Sequence, residues 1–486
     1  MGGLLTALNA GKTSLSVNQK SIEIIGNNIS NVNTEGYSRQ SAELAAYPSM
    51  NFGGFFVGQG VLVENVRRDH DVFVTNMLQE KSIEYGLQDG QTSALSELER
   101  IFPISEENLS TEINRFFDSW QELSANPSGL VERDTVIQLG ELLSKSFNNT
   151  TDDLNTLKEN INDSLLSKID GVNSQIKEIA ELNQRIFTIE IQGQTANSAR
   201  DQRDLLAQEL SYSLGVQTYY DSKGMMAVQL PGGLPLVQGN MAMEIEGVQN
   251  GADVDLVLHT GGVTRPIGLN NLGGEFEGLV HIRDVFIPSV QNDLDRLAYE
   301  IIESVNLLHG GNPTFGNPAG GPGGAGLDSS TGIDFFTPAN PLPPPPASDP
   351  WKDAARNMSV AITDSNQVAA AQVPTPPETV APGDNRNALL ISNIGEDFLI
   401  DGIDNFGAYY GKLTAQIGIE ANQNALSLGG AEDAMIQLQN LRDGLSGVSL
   451  DEEMISLIQY QRGFESSAKF LSTIDEMIGS LIDMKR

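Results

Sequence analysis

The 486-residue chain contains no cysteine, only four histidines and few aromatic residues. Without cysteine it cannot form a disulfide, a thiolate zinc site or a cysteine nucleophile. Its 29 basic residues stand against 64 acidic ones, which gives a formal net charge of -35. Such an acidic excess repels phosphate backbones and anionic lipid surfaces, so we expect no nucleic-acid partner and no membrane partner. No run of about 18 apolar residues occurs, so the sequence also predicts no transmembrane helix.

Sequence motifs for catalysis, nucleotides and metals are also missing. Residues 10–14 (AGKTS) look like the end of a phosphate-binding loop, but Thr6 stands where the first glycine belongs, so we interpret Lys12 as part of a polar helix face. Residues 444–448 (GLSGV) lack the second glycine of a nucleophile elbow. The histidines have no metal-ligand spacing, and residues 401–405 lack the aspartates of an EF-hand. We therefore expect no enzyme, no cofactor and no metal.

The N-terminal residues 1–6 have neither the basic segment nor the apolar segment of a Sec-type signal peptide. The protein is therefore expected to stay inside the cell or to leave it by a route that reads no such signal.

Heptad patterns at the two ends of the chain are its most informative feature. Apolar residues in the first 30 positions follow steps of four and three, with Gly11 and Asn18 filling the two remaining seam positions. The tail from Leu450 repeats this pattern with one shift of frame, and Ser449 and Glu452 have capping-box spacing before it. The predicted seams comprise Leu4, Leu8, Leu15, Ile22, Ile25 and Ile29, then Met454, Leu457, Gln461, Phe464, Ala468 and Leu471, and finally Ile474, Ile478 and Leu481.

Each terminal segment alone is typical of an ordinary amphipathic helix rather than of a coiled coil. Together they predict a two-helix element in which the chain ends meet. The free energy gained by burying the apolar side chains of such a pair barely offsets the conformational entropy lost when the two segments become ordered. We therefore expect arms that are marginal in a monomer and become ordered when neighbouring copies cover them.

Between the ends, the sequence predicts a mainly α protein with a small inserted β domain. Helical periodicity covers residues 130–210 and 290–308, and a pair of helices broken at Gly429 and Gly430 is expected between 404 and 445. Short alternating runs over residues 216–282 predict strands. Residues 310–350, which include Pro343 to Pro346, are typical of an extended surface loop.

The predicted domains are nested. Residues 1–38 with 448–486 form the terminal helical domain, and residues 39–214 with 283–310 and 385–447 form a helical bundle. Residues 215–282 form the β domain, and residues 311–384 form a Gly/Pro-rich loop with irregular structure.

Several motifs resemble those of the bacterial flagellar axial proteins, a family of rod, hook and hook-associated proteins. Residues 27–40 (NNISNVNTEGYSRQ) resemble the family's N-terminal signature, and the relevant positions are Asn27, Asn28, Asn31, Asn33, Thr34, Gly36 and Tyr37. Residues 446–454 (SGVSLDEEM), 457–461 and 475–477 resemble the C-terminal signature of the hook-associated members. The resemblance continues at residues 273–280 (GGEFEGLV) and 383–389 (GDNRNAL).

This resemblance implies a structural protein at the junction between the flagellar hook and its filament. The family's terminal helices form an inner tube, so the seam residues named above would be the self-association surface. Implied partners are other copies, neighbouring hook and junction proteins, and a cytoplasmic export chaperone at the C-terminal tail. The implied location is the extracellular flagellum, reached through the flagellar export channel without a cleaved signal.

Two alternatives remain at this point. One is another axial subunit, from the hook or the distal rod, which would share the end motifs. The other is a secreted binding protein or glycan-acting enzyme that uses the β insert.

Overall fold

The computed structural model describes residues 2–52, 55–105, 108–312, 320–339, 350–373 and 381–484. Most of these residues lie in long helices, with small antiparallel sheets between them, which confirms the predicted mainly α fold with an inserted β region. The helices are α1 Gly2–Ser30, α2 Val72–Ile101, α3 Leu109–Ala125, α4 Leu130–Glu190, α5 Asn197–Leu214, α6 Gly274–His281, α7 Ile287–His309, α8 Ala354–Asn357, α9 Arg386–Ile394, α10 Phe406–Ser446 and α11 Leu450–Asp483.

The strands form separate small sheets, all of them antiparallel. β1 and β4 pair as a long ribbon that follows α1, and β2 and β3 form a hairpin between them. A four-stranded sheet has the order β5-β6-β7-β8, a three-stranded sheet has the order β11-β10-β9, and β12 pairs with β13. The bounds are β1 Gln40–Ala46, β2 Met50–Phe52, β3 Phe55–Val57, β4 Val61–Arg68, β5 Gln217–Tyr220, β6 Met226–Gln229, β7 Pro235–Gln238, β8 Met241–Ala242, β9 Glu244–Asn250, β10 Asp253–Thr260, β11 Val263–Ile267, β12 Gly324–Ala325 and β13 Ala371–Gln372.

The helical body has a core of large apolar side chains. Phe116 and Trp120 of α3 are fully buried and contact the rings of Phe335 and Phe336. His309, at the end of α7, joins this cluster. Its Nδ1 donates to the carbonyl of Ile333 at 2.7 Å, and its Nε2 accepts from the amide of Ala369 at 2.9 Å. Burial lowers the pKa of His309 to about 4, so this histidine is neutral in the folded protein at pH 7.

Helix α4 holds the β insert through three asparagines on one side of the helix. Asn173 donates to the carbonyl of Ile245 and accepts from its amide, and Asn183 makes the same pair of bonds with Met226. Asn162 donates to the carbonyl of Ala252. Because a side-chain amide carries a donor and an acceptor, it pairs with a strand backbone as another strand would. These bonds fix the insert along the helix.

Helices α2 and α6 approach each other so closely that glycine is required at the contact. A Cβ on Gly90 would lie 2.5 Å from the carbonyl oxygen of Glu275 in α6, and one on Gly86 would lie 2.1 Å from the carbonyl oxygen of Tyr212 in the neighbouring α5. Gly278 of α6 faces the backbone of α2 in the same way. The glycines of the segment 273–280 therefore have a packing role in this fold.

Two expectations from the sequence are wrong in detail. The strands end at Ile267 rather than near residue 282, and Gly274–His281 is helical and continues through a π-helical turn, Ile282–Phe286, into α7. Helix α10 is unbroken at Gly429 and Gly430. Packing against α2 decides this, because Asn424 donates to α2 and Ala431 is buried, one on each side of the two glycines.

The prediction of an extended surface loop over residues 310–350 is wrong for part of that segment. Phe335 and Phe336 are fully buried, so part of the segment 310–350 fills the core of the body. The prolines at 343–346 and 374–377 lie outside the described residues. No helix within the described ranges has the length and apolar character that crossing a bilayer requires.

Candidate assembly surface of the terminal helices

The two ends of the chain meet as an antiparallel helix pair, α1 against α11. Ser14 Oγ lies 2.9 Å from Ser467 Oγ, and Asn28 Nδ2 lies 3.0 Å from Glu453 Oε2. Gly11 faces Leu471 near the other end of the pair. The sum of the two residue numbers is nearly constant along these contacts, so the helices run side by side without a break in register. The predicted meeting of the chain ends is therefore present in the subunit.

The contact between α1 and α11 uses smaller and more polar residues than the heptads predicted. The side of α1 that faces α11 carries Gly11, Ser14, Asn18, Ser21 and Asn28, and α11 presents Glu453, Gly463 and Ser467. Of the predicted seam positions, Gly11, Ile25 and Ile474 are buried, and Asn18 is half-buried. Half-buried positions are Leu4, Leu8, Leu15, Ile22, Ile29, Leu457, Leu471 and Ile478, while Met454, Gln461, Phe464, Ala468 and Leu481 are exposed.

The prediction that large aliphatic residues bury each other along this contact is therefore wrong for most positions of α11, although Ile474 is buried and Leu471 lies against Gly11. Glycine and serine let the two helices approach closely, and this approach turns the bulky stripe of α11 away from α1. Gly11 and Asn18 lie on the predicted seam. The other small or polar residues form a second stripe that could have been recognised from the sequence, one position before seam residues: Ser14, Ser21, Asn28, Gly463 and Ser467.

Asn28 organises the junction between the helix pair and the ribbon. Its Oδ1 accepts from the amide of Gln40 at 3.0 Å and from the hydroxyl of Tyr37 at 2.8 Å. Its Nδ2 donates to the carbonyl of Gln40 at 2.9 Å and to Glu453 at 3.0 Å. All four hydrogen-bonding positions of the amide are used, at a site that is 1% exposed. Aspartate would lose both donors and place a second carboxylate beside Glu453.

Arg39 and Glu453 complete this junction. Arg39 Nε donates to Glu453 Oε1 at 2.7 Å, and the amide of Arg39 donates to the carbonyl of Ser446 at 2.8 Å. Burial, together with the carboxylates of Asp201 and Glu453, raises the pKa of Tyr37 to about 12, so its hydroxyl remains a donor. The predicted capping box is absent, because the Ser449 side chain makes no cap bond and Glu452 pairs with Arg39 at 3.3 Å.

The rest of the N-terminal signature forms a turn. Asn31 donates to Asn27, Thr34 donates to Asn31, and Gly36 has a φ of 77°, a conformation that glycine adopts at little cost. The side chain of Asn33 is exposed. The signature is therefore mainly a structural joint.

A buried ion-pair cluster attaches the ribbon to the helical body. Arg68 pairs with Asp201 at 2.8 Å and with Asp204 at 2.7 Å, and Asp201 also accepts from the amide of Ser38 at 3.1 Å. Burial and then the charge of Arg68 lower the pKa of the adjacent His70. Sequence reasoning missed this cluster, because its members are separated by more than 130 positions.

The clefts near this junction are lined mainly by polar side chains. A cavity of about 400 Å³ between the signature turn and α10 is lined by Asn33, Glu35, Gln439 and Arg442, among others. Within the described ranges, no group of three or more histidine or acidic residues could hold a metal ion.

Large apolar side chains remain on the surface of the long terminal helices. Ile455 is 67% exposed, and Met454, Ile458 and Met477 are about half exposed. On α10, Leu426 is 72% exposed. Met454, Ile455 and Ile458 lie within about one turn of α11, and a cluster of exposed apolar side chains is typical of an interaction surface.

Comparison with known proteins identifies this arrangement. Three family models match the chain: "Flagellar hook-associated protein FlgK helical domain" at residues 95–336, "Flagella basal body rod protein" at residues 8–37, and "Flagellar basal body rod FlgEFG protein C-terminal" at residues 445–484. The flagellar hook-associated protein 1 of Escherichia coli (strain K12) is 27% identical, over 98% of this chain and 99% of that protein. That of Bacillus subtilis (strain 168) is 26% identical, over 99% of each.

The fold also matches a solved structure, the flagellar hook junction protein FlgK from Burkholderia pseudomallei. The TM-score is 0.63 at 16% identity, over 76% of this chain and all of that chain. The paired ends and the matching family models define a structural protein of the bacterial flagellum, associated with its axial components. Within that class, the chain belongs to the flagellar hook-associated protein 1 family.

Proposed function

We propose that this chain is the structural subunit that joins the flagellar hook to the filament and assembles helically through its terminal helices. Its partners would be other copies of itself and the neighbouring hook and junction proteins. A cytoplasmic export chaperone would hold the C-terminal tail before export, and the protein would act outside the cell without catalysing a reaction. The match of residues 95–336 to the FlgK helical domain favours this function over a hook or distal-rod subunit.

The observation that carries the proposal is the exposed apolar surface of α11. Its contact with α1 is made by small and polar residues, so most of its large side chains have no cover within the described part of the subunit. Burying one such side chain is worth roughly 1.5 to 3 kcal/mol. A helical assembly would repeat this gain in every copy, and so these residues would drive polymerisation rather than folding.

The test combines a deletion with matched surface substitutions. Cells lacking the protein should keep hooks, carry no attached filament and release flagellin. The unchanged chain should restore filaments, whereas Ile455→Glu with Ile458→Glu should not. The control, Val248→Glu with Val263→Glu, puts the same charge on exposed apolar positions of the β insert and should restore them. Normal filaments in the deletion strain would refute the junction function.

A further inference from the structure

Two lysines on the outer face of α1 lack ion-pair partners among the described residues of their own subunit. Lys12 and Lys20 are exposed, and with Glu23 they give α1 a net charge of +1. Within the described ranges, the lysines that form ion pairs are others, namely Lys81, Lys158, Lys168 and Lys412. Other described lysines, such as Lys145 and Lys177 of α4, also form no ion pair, but α1 differs from the chain as a whole, whose net charge is -35, in having a net positive charge.

The subunit's own α11 cannot neutralise these lysines. The antiparallel register places Lys12 level with Lys469 and Lys20 level with Gln461, so neither lysine has a carboxylate opposite it on that helix. Within the described ranges, this charged face is therefore left open to another molecule.

The exposed face of α11 has the complementary charge. The helix carries seven acidic and two basic residues, a net of -5. Asp475 and Asp483 are exposed and, within the described ranges, form no ion pair. They are eight positions apart, as Lys12 and Lys20 are, which corresponds to roughly 12 Å along each helix. Two helices lying side by side can thus pair both charges at once.

A groove beside Lys20, lined also by Glu23, offers room for side chains of such a helix. It has a volume of about 440 Å³ and lies between α1, β4 and the start of α5. Ile24 of α1 and Val63 and Val66 of β4 supply its apolar wall. The α11 segment that carries the two aspartates also exposes Met477, Leu481 and Ile482, the last of them to 58%.

We propose that this groove receives α11 of a second copy of the chain, with Lys12 and Lys20 paired to Asp475 and Asp483 of that copy. The inference rests on the proposed self-assembly and specifies which surfaces meet. Apolar residues of α11 fill the groove, and the charges fix the position of the helix along it, because like charges at the contact are disfavoured. Assembly should then weaken as salt rises, since exposed charges are screened.

The experiment reverses these charges in the full chain. Lys12→Glu with Lys20→Glu should raise the concentration needed for assembly by about tenfold, because two attractive pairs become repulsive. Asp475→Lys with Asp483→Lys should do the same, and the chain carrying all four changes should assemble like the original. Lys145→Glu with Lys177→Glu, at exposed positions of α4, is the control for net charge. Assembly is followed by light scattering and sedimentation, and circular dichroism confirms that each variant is folded.

The outcomes separate this inference from the proposed function. Failure of the unchanged chain to assemble would overturn both. If the unchanged chain assembles and the α1 reversal behaves like the α4 control, only the groove assignment is overturned. If the reversal leaves self-assembly intact but prevents filament attachment in cells, the occupant of the groove is a different axial protein, and the inference is again wrong.

Discussion

The contact between the terminal helices and the core of the helical body differ in the side chains that form them. In the body, Phe116, Trp120 and Leu294 are almost completely buried among other large side chains. In the terminal pair, glycine, serine and asparagine make much of the contact, and most large residues of α11 face outward, although Ile474 is buried and Leu471 lies against Gly11. The body therefore buries its large apolar side chains within the subunit, whereas the terminal pair leaves many of its own exposed to neighbouring molecules.

The largest expected effect comes from truncating an aromatic residue in the body. Phe116→Ala should lower the free energy of unfolding by about 3 to 5 kcal/mol, because it leaves a cavity among four rings. Met454→Ala, at a half-exposed site of α11, should leave monomer unfolding within about 0.5 kcal/mol of the original. Chemical denaturation of dilute protein measures both. A comparable loss of unfolding free energy in the two variants would contradict the distinction between the body and the terminal pair.

Acid should also destabilise the body. The folded protein holds the pKa of His309 at about 4, below the value of about 6.5 expected when unfolded. The stabilisation from keeping this histidine neutral is complete above pH 6.5 and is lost as the pH falls toward 4, by up to about 3 kcal/mol.

This acid effect is measured by thermal unfolding between pH 7 and pH 4. The loss of stability per pH unit should be smaller in His309→Gln than in the original protein. It should be unchanged in His259→Gln, which changes a more exposed histidine on the β insert. Equal slopes in the two variants would show that His309 is not the group responsible.

A smaller and local effect is expected at the joint between the two regions. Asn28→Asp should weaken the attachment of α11 by about 1 to 3 kcal/mol, because two donors are lost and a charge faces Glu453. Asn33→Asp, in the same signature but exposed, is the matched control. Hydrogen exchange at the amides of Arg39 and Gln40 should accelerate in the first variant alone. Unchanged exchange in Asn28→Asp would contradict the role given to this amide.

The smallest expected effect concerns the continuity of α10. A Cβ added at Gly429 or Gly430 would meet no atom of the described residues within 4 Å, so alanine fits at both positions. Each change to alanine should stabilise the helix by about 0.5 to 1 kcal/mol. Thermal unfolding measures this gain. A loss of stability would mean that the helix needs a break there after all.

Particular elements show how much of the fold the sequence predicts. Periodicity located α1, α4 and α11, since a long amphipathic pattern is a local property. It did not show that α10 is continuous, because Asn424 reaches its hydrogen-bond partner only when α2 is in place. The pairing of Arg68 with Asp201 and Asp204 also requires the fold, because the chain between these residues carries no sign of the contact.

The sequence by itself determined the helical class, the meeting of the chain ends and the family. Heptads and signature motifs are patterns of residues that are close together in the sequence. Only the tertiary structure decided which stripe of each terminal helix faces its partner. Rotating a helix about its axis changes nothing in its periodicity, and the close approach at Gly11 and Ser467 selects the small residues for the contact. That choice leaves the bulky residues of α11 outside, where another copy can reach them.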